Sequence, residues 1–219
     1  MSIYASINLT KISHKRWDIM KQLSKITGII MALVISLVAF SSLPGSNAKA
    51  DQHVDPNIGF RYEQPTAKYY IRKGTPQSYR IIINQAIANW NKTHAFTWVR
   101  SKTKVPTTIG VTNSNQGFWK GNHYAGVTLN LTKTKNVDDH TFQTGAKITL
   151  NPRVMANMRY TYNQQLLTVE HELGHAMGLK HDHEKDSIMY PNDTYYNSLN
   201  PNQIGPSDIS GVQALYNEK

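Results

Sequence analysis

The chain has 219 residues, of which 39% are hydrophobic and 17% are charged, and it carries a formal net charge of +10. This length fits a single domain with a sizeable buried core. The sequence contains no cysteine, which excludes disulfide bonds, so stability must come from the core and from bound metal. No basic run with interleaved aromatic residues is present, which argues against a nucleic-acid partner. The positive charge fits either simple solubility or residence near anionic polymers at the cell surface.

The first fifty residues have the organisation of an export signal. Basic residues up to Lys25 precede an apolar run over residues 26–40, and Ala48-Lys49-Ala50 provides a small-x-small ending. This pattern predicts a signal peptide over residues 1–50, cleaved after Ala50, and therefore a secreted, extracellular protein that can also associate with the cell surface. The alternative is an uncleaved membrane anchor, but the apolar run is shorter than the roughly 20 residues of a spanning helix. We expect no stable membrane insertion after cleavage.

The next part of the chain predicts a sheet with one packed helix. Residues 51–67 are polar and are interpreted as an N-terminal extension. Residues 68–72 alternate as a strand, and Thr75-Pro76 then supplies an N-cap and a first-turn proline for a helix over residues 76–90. Further strands are predicted at residues 96–98, 109–111, 124–131 and 146–150. Polar loops are predicted at residues 113–122 and 133–144. This order indicates an α+β fold with a twisted mixed sheet of about five strands.

The most informative stretch is His-Glu-Leu-Gly-His-Ala-Met-Gly-Leu-Lys-His, which begins at His171. In a helix, His171 and His175 lie one turn apart on the same face and can grip a metal ion. Glu172 can reach a water at that ion without being a ligand. Gly178 can adopt positive φ and turn the chain back, so that His181 becomes the third ligand. Three imidazoles leave the fourth position of a tetrahedral zinc ion open, which is typical of a catalytic site.

The residues before this stretch support a helix with two distinct faces. Its start is predicted near Thr161 or Asn163, and Gln164 completes a capping box if Thr161 is the N-cap. Four apolar side chains recur at helical spacing on the side opposite the histidines. They are Leu166, Val169, Leu173 and Met177. One face is therefore expected to pack in the core, and the other to look into a cleft.

The eleven residues resemble the metzincin signature H-E-x-x-H-x-x-G-x-x-H. Residues 187–191, Ser-Ile-Met-Tyr-Pro, look like the Met-turn of the matrixin branch, and residues 208–216 are similar to the closing helix of matrixin catalytic domains. The likeness covers roughly residues 68–219. It implies a zincin-like fold with an active-site helix, a Met-turn and a C-terminal helix, one catalytic Zn²⁺ bound by three histidines, and a glutamate as general base. In this sequence those positions are His171, His175, His181 and Glu172.

The resemblance also implies supporting roles. Met189 would pack beneath the imidazoles as a hydrophobic floor, and Asp208 would brace the Met-turn from the last helix. Ser207 replaces the family's acid that can pair with the mature N-terminus. The segment 191–195 has extra residues where matrixins often show Pro-x-Tyr, which lines the pocket for the side chain after the scissile bond. Because cysteine is absent, the thiolate latch of matrixin propeptides is excluded, and a form without a Cys-switch prodomain is expected.

Other candidate metal ligands fit less well. His183 lies two residues after His181, but the spacing from the glycine favours His181 as the third ligand. A second, structural zinc site or a Ca²⁺ site could be formed by four residues of the preceding region. These are His123, His140, Asp138 and Asp139. Their spacing does not match the matrixin pattern, so ordinary loop residues are favoured and calcium stays an alternative.

The sequence therefore predicts a secreted zinc-dependent endopeptidase with its catalytic domain at residues 68–219. Its partner is expected to be an extended polypeptide substrate lying along the edge strand predicted at residues 124–131, and the enzyme is expected to be a monomer. The alternative is a non-catalytic, zinc-containing peptide-binding or surface adhesion module on the same fold. Glu172 argues against that alternative, because a binding module needs no general base. A hydrolase acting on an amide outside a protein backbone also stays open.

Overall fold

The computed structural model describes residues 59–137 and 140–217. The predicted signal peptide and Asp138 with Asp139 of the candidate calcium site lie outside the described residues. Within the described ranges, no helix is both long enough and apolar enough to cross a membrane.

The described residues form a six-stranded mixed sheet. The strands are β1 (Phe60–Arg61), β2 (Thr66–Ile71), β3 (Thr97–Arg100), β4 (Thr107–Val111), β5 (Gly126–Val137) and β6 (His140–Leu150). β3, β2, β4 and β6 are successive parallel neighbours, and β5 pairs antiparallel with β6. The short β1 pairs parallel with the beginning of β6. β3 and β5 therefore lie at opposite edges of the sheet, and the predicted α+β fold is confirmed.

Four helices accompany the sheet. They are α1 (Gln77–Lys92), α2 (Pro152–Asn157), α3 (Tyr162–Met177) and α4 (Pro206–Asn217). Three of them agree with the helices predicted from the sequence. The periodicity does not predict α2, because six residues are too few to show a helical pattern; its N-terminus is capped by the side chain of Asn151, which accepts the N–H of Val154 at 3.3 Å. Short 3₁₀ helices occur at Gly117–Trp119 and Asp193–Ser198.

The core lies between the sheet and helices α1 and α3. Ile83 of α1 and Ile148 of β6 are fully buried, and burial of each such side chain contributes roughly 1.5–3 kcal/mol. The two helices are also joined by hydrogen bonds. The indole N–H of Trp90 donates to the backbone carbonyl of Glu170 at 3.0 Å, and the amide of Asn89 donates to the Glu170 carboxyl at 2.6 Å. These contacts fix the position of α3 against the rest of the fold.

The prediction of a loop at residues 133–144 is wrong. β5 continues to Val137 and β6 begins at His140, so the two strands form a long hairpin. Asn136 pairs with Thr141 in this extension. The Lys/Thr-rich stretch lacks alternating apolar residues and therefore gives no strand signal, yet its backbone is paired through β6, and threonine favours extended structure.

The N-terminal extension predicted at residues 51–67 ends inside the fold. β1 pairs with β6, and Tyr62 is only 7% exposed, with its hydroxyl 2.7 Å from that of Thr107. β2 begins at Thr66, so the predicted start of the domain at residue 68 falls inside a strand. The described part of the extension thus contributes to the core.

Candidate metal centre and active-site cleft

Helix α3 positions two of the three candidate ligands. The Thr161 hydroxyl accepts the N–H of Gln164 at 3.2 Å, and the Gln164 side chain accepts the N–H of Thr161 at 2.8 Å. This confirms the predicted capping box. Leu173, on the side away from the histidines, is fully buried. With the helix fixed at its start and along its apolar face, the rings of His171 and His175 lie 4.6 Å apart between centroids.

Gly178 ends α3 and turns the chain back toward the histidines. Its φ of 111° is in the left-handed region, and its N–H donates to the carbonyl of His175 at 3.1 Å. A Cβ at this position would lie 2.6 Å from the carbonyl oxygen of Phe60. Any other residue would therefore meet both backbone strain and a clash. The turn brings Nε2 of His181 to 3.2 Å from Nε2 of His175.

The three imidazoles form a set of nitrogen donors that fits a metal ion. One ring nitrogen from each of His171, His175 and His181 lies within 4.8 Å of the others. Nδ1 of His171 is 2.6 Å from the carbonyl oxygen of Ile188, and Nδ1 of His175 is 2.8 Å from that of Leu179. Because a carbonyl oxygen can only accept, both Nδ1 atoms carry the proton and both Nε2 atoms present lone pairs. Three such donors suit zinc with an open position.

Burial keeps these imidazoles neutral. Burial and the neighbouring His175 together lower the pKa of His171 to about 3, against the hydrogen bond to Ile188. Burial also lowers the pKa of His175 to about 4 and lowers the pKa of His181. Neutral imidazole is the form that binds a metal. The site can therefore take up an ion at neutral pH without first losing protons.

The carboxyl of Glu172 lies beside the imidazoles and is held by β5. The Thr128 hydroxyl lies 2.6 Å from Oε2 of Glu172 and 2.9 Å from the Glu172 backbone carbonyl. A Cβ at Gly126 would lie 2.7 Å from Oε1 of Glu172, so the glycine leaves room for the carboxyl. Burial raises the pKa of Glu172 to about 7, although the Thr128 hydrogen bond lowers it. A pKa near the working pH suits a group that takes up and returns a proton.

The Met-turn is braced by the last helix, as the resemblance implies. Asp208 accepts the hydroxyl of Ser187 at 2.6 Å and the N–H of Ile188 at 3.2 Å. The Ser187 hydroxyl oxygen in turn accepts the N–H of Met189 at 3.0 Å. Met189 is 1% exposed, and its sulfur fills the space that a Cβ on Gly174 of α3 would need. The turn thus packs against the metal-site helix and supplies the carbonyl that orients its first histidine.

An open cleft of about 520 Å³ runs past the imidazoles. β5 forms one wall and α3 with its two histidines forms another. The chain after the Met-turn forms a third, with Pro191 and Asp193 among its lining residues. Tyr196, which is 6% exposed, supplies an aromatic side chain from the 3₁₀ helix. Tyr160 also lines the cleft, and the pKa of its hydroxyl is raised by burial and by its hydrogen bond to Asp193. The extra residues noted after the Met-turn therefore contribute to the lining of the cleft.

The structure separates the remaining candidate ligands from the main set. It brings His181, and not His183, to the other two imidazoles. His123 is exposed and lies on the cleft wall. Asp138 and Asp139 lie outside the described residues, so a second zinc or calcium site stays the untested alternative to ordinary loop residues.

Sequence reasoning missed Thr128 and Gly126, because both act on Glu172 from a strand distant in the chain. The combination of this fold with this site is that of the metzincins. The chain belongs to the matrixin family, whose model matches residues 35–217.

Two relatives of the chain are collagenases. The chain is 29% identical over 164 residues to neutrophil collagenase from Homo sapiens and 29% identical over 169 residues to interstitial collagenase from Sus scrofa. Each match covers 71% of this chain and 33% of the relative, so the chain spans about a third of their length. The structure of high choriolytic enzyme 1, a hatching enzyme zinc-protease from Oryzias latipes, matches 73% of this chain and 95% of that chain, with 12% identity and a TM-score of 0.43.

Proposed function

We propose that this chain hydrolyses peptide bonds in extended polypeptides, using one Zn²⁺ bound by His171, His175 and His181. The observation that carries the proposal is the convergence of three neutral imidazoles beside a buried carboxyl in the wall of an open cleft. Three nitrogen ligands leave a position of a tetrahedral ion free for the reaction. Membership of the matrixin family supports the same metal.

Glu172 is proposed as general base and then as general acid. When bound here, zinc supplies a Lewis acid that makes water more acidic and polarises a carbonyl oxygen. Glu172 takes a proton from the attacking water and passes it to the nitrogen of the leaving amine. Burial raises the pKa of Glu172 to about 7 in the metal-free site, and the charge of a bound zinc ion would lower it, which favours the carboxylate that acts as the base. The Thr128 hydroxyl keeps the carboxyl in place through its 2.6 Å hydrogen bond.

β5 is the proposed docking edge for the substrate backbone. It pairs with β6 on one side, and its residues 126–128 line the cleft. An extended peptide can add to such an edge through main-chain hydrogen bonds. Successive side chains of the peptide would then point alternately into the cleft and away from it. Docking through the backbone would let one site accept many polypeptide sequences.

Glu172→Gln tests the catalytic role. Glutamine keeps the shape of the side chain but cannot take up a proton, so cleavage of a quenched fluorescent peptide should fall by roughly 10²–10⁴-fold. Zinc content, measured by elemental mass spectrometry, should stay unchanged. A chelator should abolish the activity of the wild type, and added zinc should restore it.

Glu184→Gln is the matched control, because Glu184 is an exposed acid shortly after the third histidine and outside the cleft lining. Its activity should equal that of the wild type. Equal activity of Glu172→Gln and the wild type would disprove the assigned role. A wild-type protein that binds zinc and peptide but cleaves nothing would support the non-catalytic binding module instead.

The proposed setting is extracellular, with a monomeric enzyme released after removal of residues 1–50. The support is the basic, apolar and small-residue organisation of that segment. Mass spectrometry of protein from the culture medium should find Asp51 at the N-terminus. A membrane fraction that holds the protein with its leader intact would contradict this setting.

A further inference from the structure

Charge is divided unequally along the chain. Residues 64–137 contain eleven lysines and arginines and no aspartate or glutamate. At the chain-wide frequency of 14 acids in 219 residues, a stretch of this length would contain about five. Residues 138–219 hold ten of the fourteen acids. The positive excess therefore belongs to the part of the fold that carries β2, α1, β3 and β4, and the catalytic helix lies in the acidic part.

Part of this positive charge converges on a surface pocket, the basic pocket, with a volume of about 570 Å³. It lies where β2 and β3 end and α1 begins. Its lining residues are Tyr70, Ile71, Arg80, Arg100, Ser101 and Lys102. Three of these six side chains are cationic and none is acidic. The exposed Lys73 and Lys104 follow closely in the sequence.

Arg80 is held in the basic pocket by the protein backbone. Its Nε donates to the carbonyl of Thr75 at 2.9 Å, and its Nη2 donates to the carbonyl of Arg72 at 3.4 Å. Both acceptors are neutral carbonyl groups, so they do not compensate the positive charge of the guanidinium. Within the part of the chain that the structure describes, no carboxylate forms an ion pair with Arg80, Arg100 or Lys102. A fixed and uncompensated guanidinium is preorganised to bind an oxyanion.

Protection of the sheet edge does not explain this arrangement. β3 is an edge strand, and a charged side chain such as Arg100 does oppose pairing with another chain. Arg80, however, lies on α1, and Lys102 follows the end of the strand. Neither residue belongs to β3. Solubility alone also does not require the exclusion of every acid from 74 consecutive residues.

We propose that the basic pocket and the exposed lysines beside it bind a linear polymer of phosphate groups. Such a polymer contacts several cations at once and gains affinity from the release of counterions. The paired N–H groups of arginine match the geometry of phosphate oxygens. The surface would therefore hold the protein on a phosphate-rich anionic material.

The position of the basic pocket is compatible with an open cleft. The pocket lies at the β3 edge of the sheet and the cleft at the β5 edge. Four strand spacings of ~4.8 Å separate these edges, which is about 19 Å. A bound polymer would leave the cleft accessible. If the proposed peptidase function is correct, the enzyme can cleave peptides while it is held on the polymer.

Long-chain inorganic polyphosphate is the probe for the test. Binding to the full chain is measured by biolayer interferometry at 50 mM and 200 mM salt. The double variant Arg100→Glu with Lys102→Glu should bind at least about tenfold more weakly at 50 mM salt, with a shallower salt dependence. The matched control is Arg153→Glu with Arg159→Glu, which changes the net charge equally at exposed sites of the acidic part. Its affinity should change less than about threefold.

Equal losses of affinity in the two double variants would show that net charge alone matters, and would overturn the site. Tighter binding to dextran sulfate of matched length than to polyphosphate would overturn the assignment of phosphate. Inhibition of the cleavage of a neutral peptide by polyphosphate would place the polymer in the cleft, which also contradicts the proposal. Binding is measured without catalysis, so an inactive protein would refute the proposed function and leave this test intact.

Discussion

Two walls of the cleft, formed by α3 and by β5, are built in opposite ways. On the α3 wall, the rings of His171 and His175 are each held by a backbone carbonyl, and the helix behind them is buried. The β5 wall is an edge strand, and Tyr124, which precedes the strand and lines the cleft, is 53% exposed. The comparison separates two tasks. In the proposed function, the α3 wall fixes the atoms that do the chemistry, and the β5 wall offers backbone groups to a peptide.

The walls are joined by hydrogen bonds from β5 to α3. The Thr128 hydroxyl contacts Glu172, and the Asn130 amide donates to the backbone carbonyl of His175 at 3.2 Å. Because α3 carries the candidate ligands and is buried, substitutions in its wall should affect metal binding and folding. Substitutions at the junction of the walls, which these two hydrogen bonds form, should affect turnover alone.

The largest effect is expected from His171→Ala in the α3 wall. Loss of one of three ligands should remove zinc and reduce peptide cleavage by at least about 10³-fold. Zinc stoichiometry and the quenched-peptide assay measure both effects. His183→Ala is the control, because this exposed ring is not part of the converging set. Retention of zinc by His171→Ala together with its loss from His183→Ala would show that the ligands are assigned wrongly.

Gly178→Ala should destabilise the fold at the turn between the second and third ligands. The left-handed φ and the contact with the Phe60 carbonyl together should cost about 2–4 kcal/mol in the free energy of unfolding. Gly74→Ala is the matched control, because Gly74 also has positive φ but a Cβ there would meet no atom within 4 Å. Its cost should be about 1 kcal/mol. Urea denaturation measures the free energy of unfolding of both variants. A larger loss for Gly74→Ala than for Gly178→Ala would contradict the explanation.

Asp208→Asn tests the brace of the Met-turn through pH. Burial raises the pKa of Asp208 to about 6 from an ordinary value of 3.8, against the hydrogen bonds from Ser187 and Ile188. Because the pKa in the folded state lies above that in the unfolded state, the carboxyl favours the folded state while it is protonated there. This contribution to stability is lost as the pH rises through about 6. The stability of the wild type relative to Asp208→Asn should therefore decrease by about 1–2 kcal/mol between pH 5 and 7.5.

Chemical denaturation of metal-free protein at several pH values measures this difference. Asp186→Asn, at an exposed acid of the same segment, should show no comparable trend. A wild-type advantage over Asp208→Asn that grows with pH would mean that the carboxylate is stabilised in the fold, contrary to the expected sign.

The smallest effect is expected at the junction of the walls. Thr128→Val removes the hydroxyl that holds the Glu172 carboxyl and should lower kcat about three- to tenfold while zinc content stays constant. Thr128→Ser keeps the hydroxyl and should recover most of the turnover. If the serine variant were as slow as the valine variant, packing of the methyl group and not the hydrogen bond would account for the loss.

The α3 wall could be predicted from the sequence because its determinants are local. The capping box spans Thr161 and Gln164, and the two helical histidines, the glycine turn and the third histidine follow within one short stretch. Each of these signals acts over a few residues and leaves a fixed spacing. The identity of the candidate ligands therefore needed no knowledge of the sheet.

The β5 wall could not be predicted in the same detail. Thr128 meets Glu172 across 44 positions of sequence, and no local pattern signals such a pairing. The hairpin beyond Leu131 has Lys and Thr in place of alternating apolar residues, so its strands depend on pairing with β6. Tyr196 lines the cleft only because a 3₁₀ helix places it there. These features follow from tertiary contacts.

The hydrogen bond from the His171 ring to the Ile188 carbonyl makes the first ligand and the Met-turn a single mechanical unit. An ion that fixes the ring also restrains the backbone of the turn, and loss of the ion would release both together. Zinc supply would then govern the resistance of the fold to proteolysis as well as the proposed activity.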